Sequence, residues 1–422
     1  VDKFELMRAS AGIVAILAAS WLMSEQKRSF PWRIIAIGLG FQTGLALLLT
    51  QVPVIADGFR VLAQAVDGLQ LSAADGARFV FGYLAGGPVP YALADPPAPA
   101  FLFAFQTLPA ILLVGALSSL LWHWGVLRWM VRGAAWLFGR LFGVSGPVGV
   151  STSACVFLGM VEAPLLIRPV VPRMSRGELF IIMVDGLSVI GGSMMIVLGA
   201  LVAQKLPDAF AHILTATLIS TPMAICMARA IIPVDAAEAA LAQEPVALET
   251  HYSSSLDAIT KGTLAAVQMA VNIAALLIVF IGGIALIDRM LAALPFGDPL
   301  SVGSILGWIL TPAAWLMGFP MTDIGEAAKL IGAKVALNEV VAYGQLIALP
   351  DGAITEKTLI MMTYVLGSFG NIGSVAILIA ALSAMAPERS SEIVALGFRA
   401  LAASFLVVCL SATIVGIFYS LF

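Results

Sequence analysis

Three carboxylates sit where a chain this apolar has little use for them. Glu162, Asp185 and Glu339 each lie within an apolar stretch of the sequence. A carboxylate at the middle of a bilayer-spanning segment costs about 2.5–3.5 kcal/mol on insertion scales. A chain keeps such a group where it faces a wet cavity, meets a partner, or handles a solute or a proton. The plainer reading is a helix cap or a bond to backbone at a turn, and for Asp185, just before Gly186, a capped helix break is as good an account. The backbone is weak nearby as well. Gly191-Gly192-Ser193 and Gly367-Ser368-Phe369-Gly370-Asn371-Ile372-Gly373-Ser374 interrupt apolar runs. Glycine also serves close packing between membrane helices, but the second cluster adds an amide and serines at the break. Such a break frees carbonyls and amides to hold a solute or an ion. The chemistry implied is binding and translocation. His123, His212 and His251 are scattered, as are Cys155, Cys226 and Cys409, so neither a metal cluster nor a disulfide framework is indicated. No nucleophile–base pair or paired-aspartate motif supports a membrane enzyme, and no cofactor is implied.

The elements that position these groups follow from composition. Of 422 residues, 60% are hydrophobic and 11% charged, with a mean hydropathy of +1.01. A soluble domain carries about 25% charged residues, so the chain reads as an all-α polytopic membrane protein. A net charge of −3 gives no footprint for nucleic acid. Apolar runs of about 20 residues, the length of a spanning helix, fall near 9–24, 34–54, 101–125, 178–203, 209–234, 264–288, 358–386 and 394–422. The first is flanked by Lys27, Arg28 and Arg33 and lacks a small-residue cleavage site, so it reads as a retained helix. The sequence starts at Val1, and residues ahead of it are expected. The basic clusters Lys27–Arg33, Arg128–Arg140 and Arg168–Arg176, with Arg229, Lys261 and Arg389, belong on the cytoplasmic side. That leaves 55–100 outside, where Asp57, Asp67, Asp75 and Asp95 outnumber Arg60 and Arg78, and puts both ends outside; Lys3 and Arg8 oppose this.

Two further apolar stretches lie between loops that must share one side. Residues 147–171 carry Glu162-Ala163-Pro164 near their middle, and each limb reaches about 18 Å, enough to enter to the midplane and return. Residues 300–347 behave similarly from the outer side, with Asn338-Glu339 in their second half. Irregular backbone at that depth survives only inside protein or beside a water-filled cavity. Both are therefore expected to be re-entrant hairpins, each followed by a broken helix, entering from opposite sides as an inverted repeat does. The expected parts are scaffold helices with interfacial segments over 1–143, a first hairpin and transport half over 144–234, a linker with a long scaffold helix over 235–292, a second hairpin and half over 293–386, and a last helix over 387–422. The carboxylates of 235–258 mark a cytoplasmic linker. Lys334 either pairs with a hairpin carboxylate or lies at the outer interface.

Phe157-Leu158-Gly159-Met160-Val161-Glu162-Ala163-Pro164-Leu165-Leu166-Ile167-Arg168-Pro169 resembles the first-hairpin signature of concentrative nucleoside transporters, written G-Q-T-E-A-P-L…R-P. Gly332-Ala333-Lys334-Val335-Ala336-Leu337-Asn338-Glu339-Val340-Val341-Ala342-Tyr343 resembles the family's G-T-K…L-N-E-F-V-A-Y. The stretch from Gly367 to Ser374 is similar to its G-F-A-N…S block. The likeness runs over about residues 30–422 with order and spacing kept. It implies eight transmembrane helices with two re-entrant hairpins, a homotrimer in the inner membrane of a bacterium, and import of a nucleoside-like solute by alternating access. It further implies that Glu339, Asn371 and Ser374 hold ribose hydroxyls, that Phe369 lines the pocket, and that Glu162 with Gly159, Met160 and Val161 forms the first tip beside the solute.

Two departures from the pattern bear on specificity and coupling. The Gln-Thr pair that faces the base in the family is Met160-Val161 here, and neither offers a strong donor or acceptor. The expectation is a protein that accepts bases by packing, or takes a less polar or modified nucleoside, or another solute. The family's sodium site uses oxygens around positions that align with Cys155 and Val189, with Leu158 and Ile190 beside them. Ser188 is displaced by one place from the serine the pattern requires, while Asp185 stands where the pattern has glycine. The coupling ion is H+ or Na+, and these changes favour a proton. An uncoupled channel or a solute sensor is the alternative; accumulation above the external concentration separates them.

Overall fold

The computed structural model describes residues 3–52, 58, 68–69, 71–90, 102–234, 252–293 and 300–421. Half of the expected outer stretch 55–100 and most of the linker 235–258 lie outside the described residues. The described secondary structure is helical, without a strand. Among the described residues, six helical segments are long and apolar enough to cross a bilayer: Lys3–Met23, Trp32–Thr50, Phe103–His123, Arg176–Val202, Ala209–Ile231 and Pro387–Leu421.

Helices α1 (Lys3–Met23), α2 (Trp32–Gln51), α3 (Leu108–His123) and α10 (Ser255–Ala292) flank two similar halves. At 38 residues, α10 extends about 57 Å, well beyond a hydrocarbon core of about 30 Å. Its ends accordingly carry Asp257 and Lys261, and Asp288 and Arg289. It lies along α3 at close range. A Cβ on Gly115 would stand 2.7 Å from the Cβ of Ala266, and one on Gly262 would stand 2.7 Å from the Gly115 carbonyl oxygen. Small residues at such crossings let backbones approach and gain dispersion contact.

The first half comprises α4 (Val126–Phe142), α5 (Gly146–Leu158), α6 (Glu162–Leu165), α7 (Arg176–Ser188), α8 (Gly192–Val202) and α9 (Ala209–Ile231). The second comprises α11 (Val302–Leu316), α12 (Ile324–Ala336), α13 (Glu339–Ala348), α14 (Glu356–Leu366), α15 (Ile372–Met385) and α16 (Ser390–Leu421). The pairings repeat. α4 lies on α5 as α11 lies on α12, α7 packs on α9 as α14 packs on α16, and α9 and α16 meet each other. Two helices are interrupted, at 189–191 between α7 and α8 and at 367–371 between α14 and α15.

The expected single hairpin over 300–347 is three helices. The chain turns after α11 at Gly318 (φ +82°), followed by Phe319-Pro320, so the re-entrant unit is α12–α13 over 324–348. A glycine in the left-handed region with a proline two residues on is a helix stop, and that signal was present in the sequence. Arg8 explains why it opposed the charge rule. It is 1% exposed, and its guanidinium donates to the carbonyls of Trp315 (3.0 Å) and Phe319 (2.9 Å), closing the end of α11 from α1.

Polar contacts gather at two ends of the bundle. At one end Glu25 accepts from Arg176 (2.7 Å) and Arg399 (2.6 Å), and Arg389 pairs with Glu392 (2.8 Å). At the other, Glu5 meets Lys357 (2.7 Å), Lys205 meets Asp351 (3.4 Å), and Asp323 accepts from Thr355 and Thr358 at the start of α14. Most basic residues assigned to the cytoplasm fall at the first end. Burial opposes the charged form of Glu25, but hydrogen bonds from Arg176 and Arg399, and their charge, outweigh it and hold the carboxyl below its ordinary range. A depressed carboxyl contributes stability above its unfolded value of about 4.3 and loses it as the pH falls. Glu25→Gln should therefore lower the melting temperature of the purified protein at pH 7, and the gap to the parent should close below about pH 4. A gap that persists undiminished in acid would show that Glu25 acts by packing alone.

Candidate functional site

Each hairpin tip is held against the neighbouring helix break, by a different device in each half. In the first half the device is glycine. The chain leaves α5 at Gly159 (φ +108°) and begins α6 at Glu162. A Cβ on Gly191 would stand 2.7 Å from the Gly159 Cα, and one on Gly192 would stand 2.9 Å from the Phe157 carbonyl oxygen. Tip and break thus meet backbone to backbone. The Glu162 carboxylate lies at the tip beside Gly159 and lines the cavity.

In the second half the device is polar side chains. Asn338 caps α13, its Oδ1 accepting from Val341 N–H (2.9 Å), which makes Glu339 the first helical residue. Asn371 caps α15 in the same way, accepting from Ser374 N–H (2.7 Å), and its Nδ2 donates to Glu339 Oε2 (2.9 Å). Oδ1 must accept here, so the amide's orientation is fixed by its two bonds. Lys334, 1% exposed, lies inside and not at the interface; its Nζ donates to Ser368 Oγ (2.8 Å). A Cβ on Gly370 would stand 2.9 Å from that nitrogen, so the break's conformation and the lysine's position require each other. The two breaks also touch, where Phe369 N–H donates to the Val189 carbonyl (3.2 Å).

Around this junction is a cavity of about 520 Å³. Small-molecule sites span about 300–1,000 Å³. The structure brings Gly159, Met160, Val161, Glu162, Glu339, Phe369, Asn371 and Ser374 together in its wall. Met160, Glu339, Asn371 and Ser374 are buried apart from this opening, at 7%, 5%, 2% and 6% exposure. The Glu339 carboxylate, oriented by Asn371 and its own backbone N–H, keeps acceptor capacity toward the cavity. The N-termini of α13 and α15 both end there, and their dipoles favour negative charge at that point.

The residues named for coupling form a separate group behind the first tip. Leu158 borders the cavity. Asp185, 1% exposed, faces the side chains of Thr221 and Cys155, and its Oδ1 has no hydrogen-bond partner. It lies inside α7 and caps nothing. Ser188 Oγ donates to the Val184 carbonyl (2.7 Å), the Val189 carbonyl is taken by Phe369, and Ile190 is fully buried. Sequence reasoning missed Gln268 and Asn272, which line the cavity from α10. Two amides one helical turn apart in an apolar run were the available signal.

The sequence matches the family described as Na+ dependent nucleoside transporter, C-terminus over residues 212–416 and N-terminus over 11–84, and the nucleoside recognition Gate over 104–205. An uncharacterized transporter of Haemophilus influenzae is 34% identical, over 97% of each chain. Nucleoside permease NupC of Helicobacter pylori is 30% identical over 99% of each chain. Sodium/nucleoside cotransporter 1 of Rattus norvegicus is 30% identical over 98% of this chain and 64% of its own. Among solved structures, CNTnw in an inward-facing substrate-bound state aligns with a TM-score of 0.88 at 27% identity, covering 99% of this chain and 98% of that one. A CNTnw variant in an outward-facing state aligns at 0.89 with the same identity and coverage.

The contact between tip and break makes a direct prediction. Gly191→Ala forces a carbon into the Gly159 backbone, and overpacking of this kind costs about 1–3 kcal/mol. Gly344→Ala, where nothing lies within 4 Å of the added carbon, should be neutral or better, since alanine favours helix by up to about 1 kcal/mol. Thermal unfolding of the two purified variants compares them; equal melting temperatures would mean the tip and break do not touch.

Proposed function

We propose, from the premise that this chain belongs to the concentrative nucleoside transporter family, that it imports nucleosides or nucleoside-like solutes by alternating access, driven by a proton gradient. It is a multi-pass membrane protein and not an enzyme. The observation that carries the reading is the Glu339–Asn371 pair set in a solute-sized cavity where both hairpin tips meet both helix breaks. A sugar with adjacent hydroxyls suits it. Glu339 accepts one hydroxyl proton in a charge-assisted bond, roughly twice as strong as a neutral one. Ser374 offers a hydroxyl beside it, Asn371 holds the carboxylate in place, and Phe369, Gly159, Met160, Val161 and Glu162 enclose the rest of the solute. The working unit is a homotrimer in a bacterial inner membrane. In each subunit the hairpin-bearing segments 144–234 and 293–386 move against a scaffold formed by 1–143 and 235–292, with 387–422 as the last helix.

Sodium coupling is the second reading, because the family is described as Na+ dependent. Sodium is a hard cation that takes oxygen ligands. Cys155 presents sulfur, Val189 has no hydroxyl and its carbonyl already accepts a bond, and the Ser188 hydroxyl is turned onto its own helix. Asp185, facing Cys155 and Thr221 with one oxygen unpartnered, supplies a proton carrier in the same region. Proteoliposomes with the two gradients imposed separately provide the test. An inward proton gradient should drive accumulation of labelled uridine, a sodium gradient alone should not, and Asp185→Asn should abolish accumulation while leaving exchange at equilibrium. Accumulation on sodium alone would overturn proton coupling. Uptake that never exceeds the external concentration under either gradient would identify an uncoupled channel.

A further inference from the structure

The cavity has a polar feature on a wall that neither hairpin provides. Gln268 and Asn272 sit one turn apart on α10, with Gln268 Nε2 donating to Asn272 Oδ1 (2.9 Å). Their neighbours on this stretch are alanine, valine, methionine, isoleucine and leucine. A pair of amides here finds no partner in lipid, and polar groups at membrane depth turn toward protein or a water-filled space. Both residues line the same cavity as Met160 and Val161. Between them in sequence, Met269 Sδ lies 3.8 Å from Ser193 Oγ at the start of α8, so this face of α10 abuts the broken helix of the first half.

One bond between two side-chain amides uses one donor and one acceptor. The pair keeps three N–H donors, one wholly free carbonyl oxygen and a second lone pair on the bonded one, whichever way each amide is turned. An acceptor beside donors at hydrogen-bond spacing complements the edge of a nucleobase, which presents the same two kinds of group in a pattern that differs from base to base. We propose that Gln268 and Asn272 read the nucleobase edge, supplying from α10 the polar recognition that Met160 and Val161 do not offer on the first hairpin. This rests on the nucleoside reading of the cavity given above. It also divides recognition between two bodies. The sugar is gripped by the second hairpin and its broken helix, and the base is read by a helix outside both hairpin units.

The test compares ratios, so a change in overall uptake does not obscure it. Uridine, cytidine, adenosine and inosine, together with 3′-deoxyuridine, compete against labelled uridine in proteoliposomes holding the full-length protein. The parent should separate the best from the worst base by about tenfold or more, as expected for a site that hydrogen-bonds one edge and leaves its groups unpaired against another. The double variant Gln268→Leu with Asn272→Leu should bring the four bases within about threefold of one another, while discrimination against 3′-deoxyuridine is unchanged. Where that variant gives no uptake, the single variants Gln268→Met and Asn272→Leu carry the same comparison, each losing part of the ratio. A parent that does not discriminate among bases, or variants that discriminate as the parent does, would overturn the assignment. Glu339→Gln separates this from the underlying reading. If that variant still rejects 3′-deoxyuridine as the parent does, the sugar site itself is misplaced, whatever the base ratios show.

Discussion

An interrupted helix inside a bilayer must satisfy its own freed backbone groups, because lipid offers them nothing. The arrangement of this molecule follows from that requirement. Among the described residues there are four such interruptions at the cavity: two hairpin tips and two helix breaks. They converge, so that each supplies partners to another. Phe369 N–H finds the Val189 carbonyl, Asn371 caps α15 while holding Glu339, and Ser368 receives Lys334 from the first limb of the second hairpin. Once the interruptions are gathered, the space between them is lined by helix ends and polar side chains, and a solute can use what the backbone leaves over.

The two halves meet this requirement with different chemistry. In the first, Gly159, Gly191 and Gly192 let backbone lie on backbone; Glu162 at the tip and Ser193 past the break face the cavity, Met160 and Val161 are apolar, and Asp185 is withdrawn from it. In the second, Asn338, Asn371, Lys334 and Ser368 make the contacts through side chains. A junction of bare backbone is tight and unforgiving of any added carbon. A junction of side chains leaves acceptors and donors that a ligand can share. Most of the side-chain donors and acceptors at the junction therefore belong to the second half, and the first half adds the Glu162 carboxylate to an otherwise apolar enclosure.

Much of this was legible in the sequence. The buried carboxylates, the glycine-rich breaks and the short limbs around Glu162 pointed to one cavity, and the eight residues that motif likeness named for the solute lie in its wall among others that it did not name. The legible part is the part written in local chemistry. The end of α11 at Gly318 and Pro320 was overlooked because the apolar run continues through it, and hydropathy does not see a turn made of glycine, phenylalanine and proline. Arg8 misled for the opposite reason. A lone arginine near an end looks like a topological signal, and only tertiary packing reveals that it closes a helix more than 300 residues away. Gln268 and Asn272 were overlooked: two amides one turn apart in an apolar run are a signal of a polar face, but what that face meets is decided by the neighbours, here α3 and α8, and not by the helix's own periodicity.

Asp185 and Glu339 show why two buried carboxylates in one chain can do different work. Glu339 has an amide partner, a helix N-terminus and an opening in front of it, so its charge has somewhere to be used. Asp185 is closed in by α5 and α9, faces a thiol and a hydroxyl, and has an oxygen without a partner. Asp185 is thus enclosed by packed helices, whereas Glu339 is bonded at a cavity wall. The two groups lie in separate halves, which meet where Phe369 N–H donates to the Val189 carbonyl between the breaks.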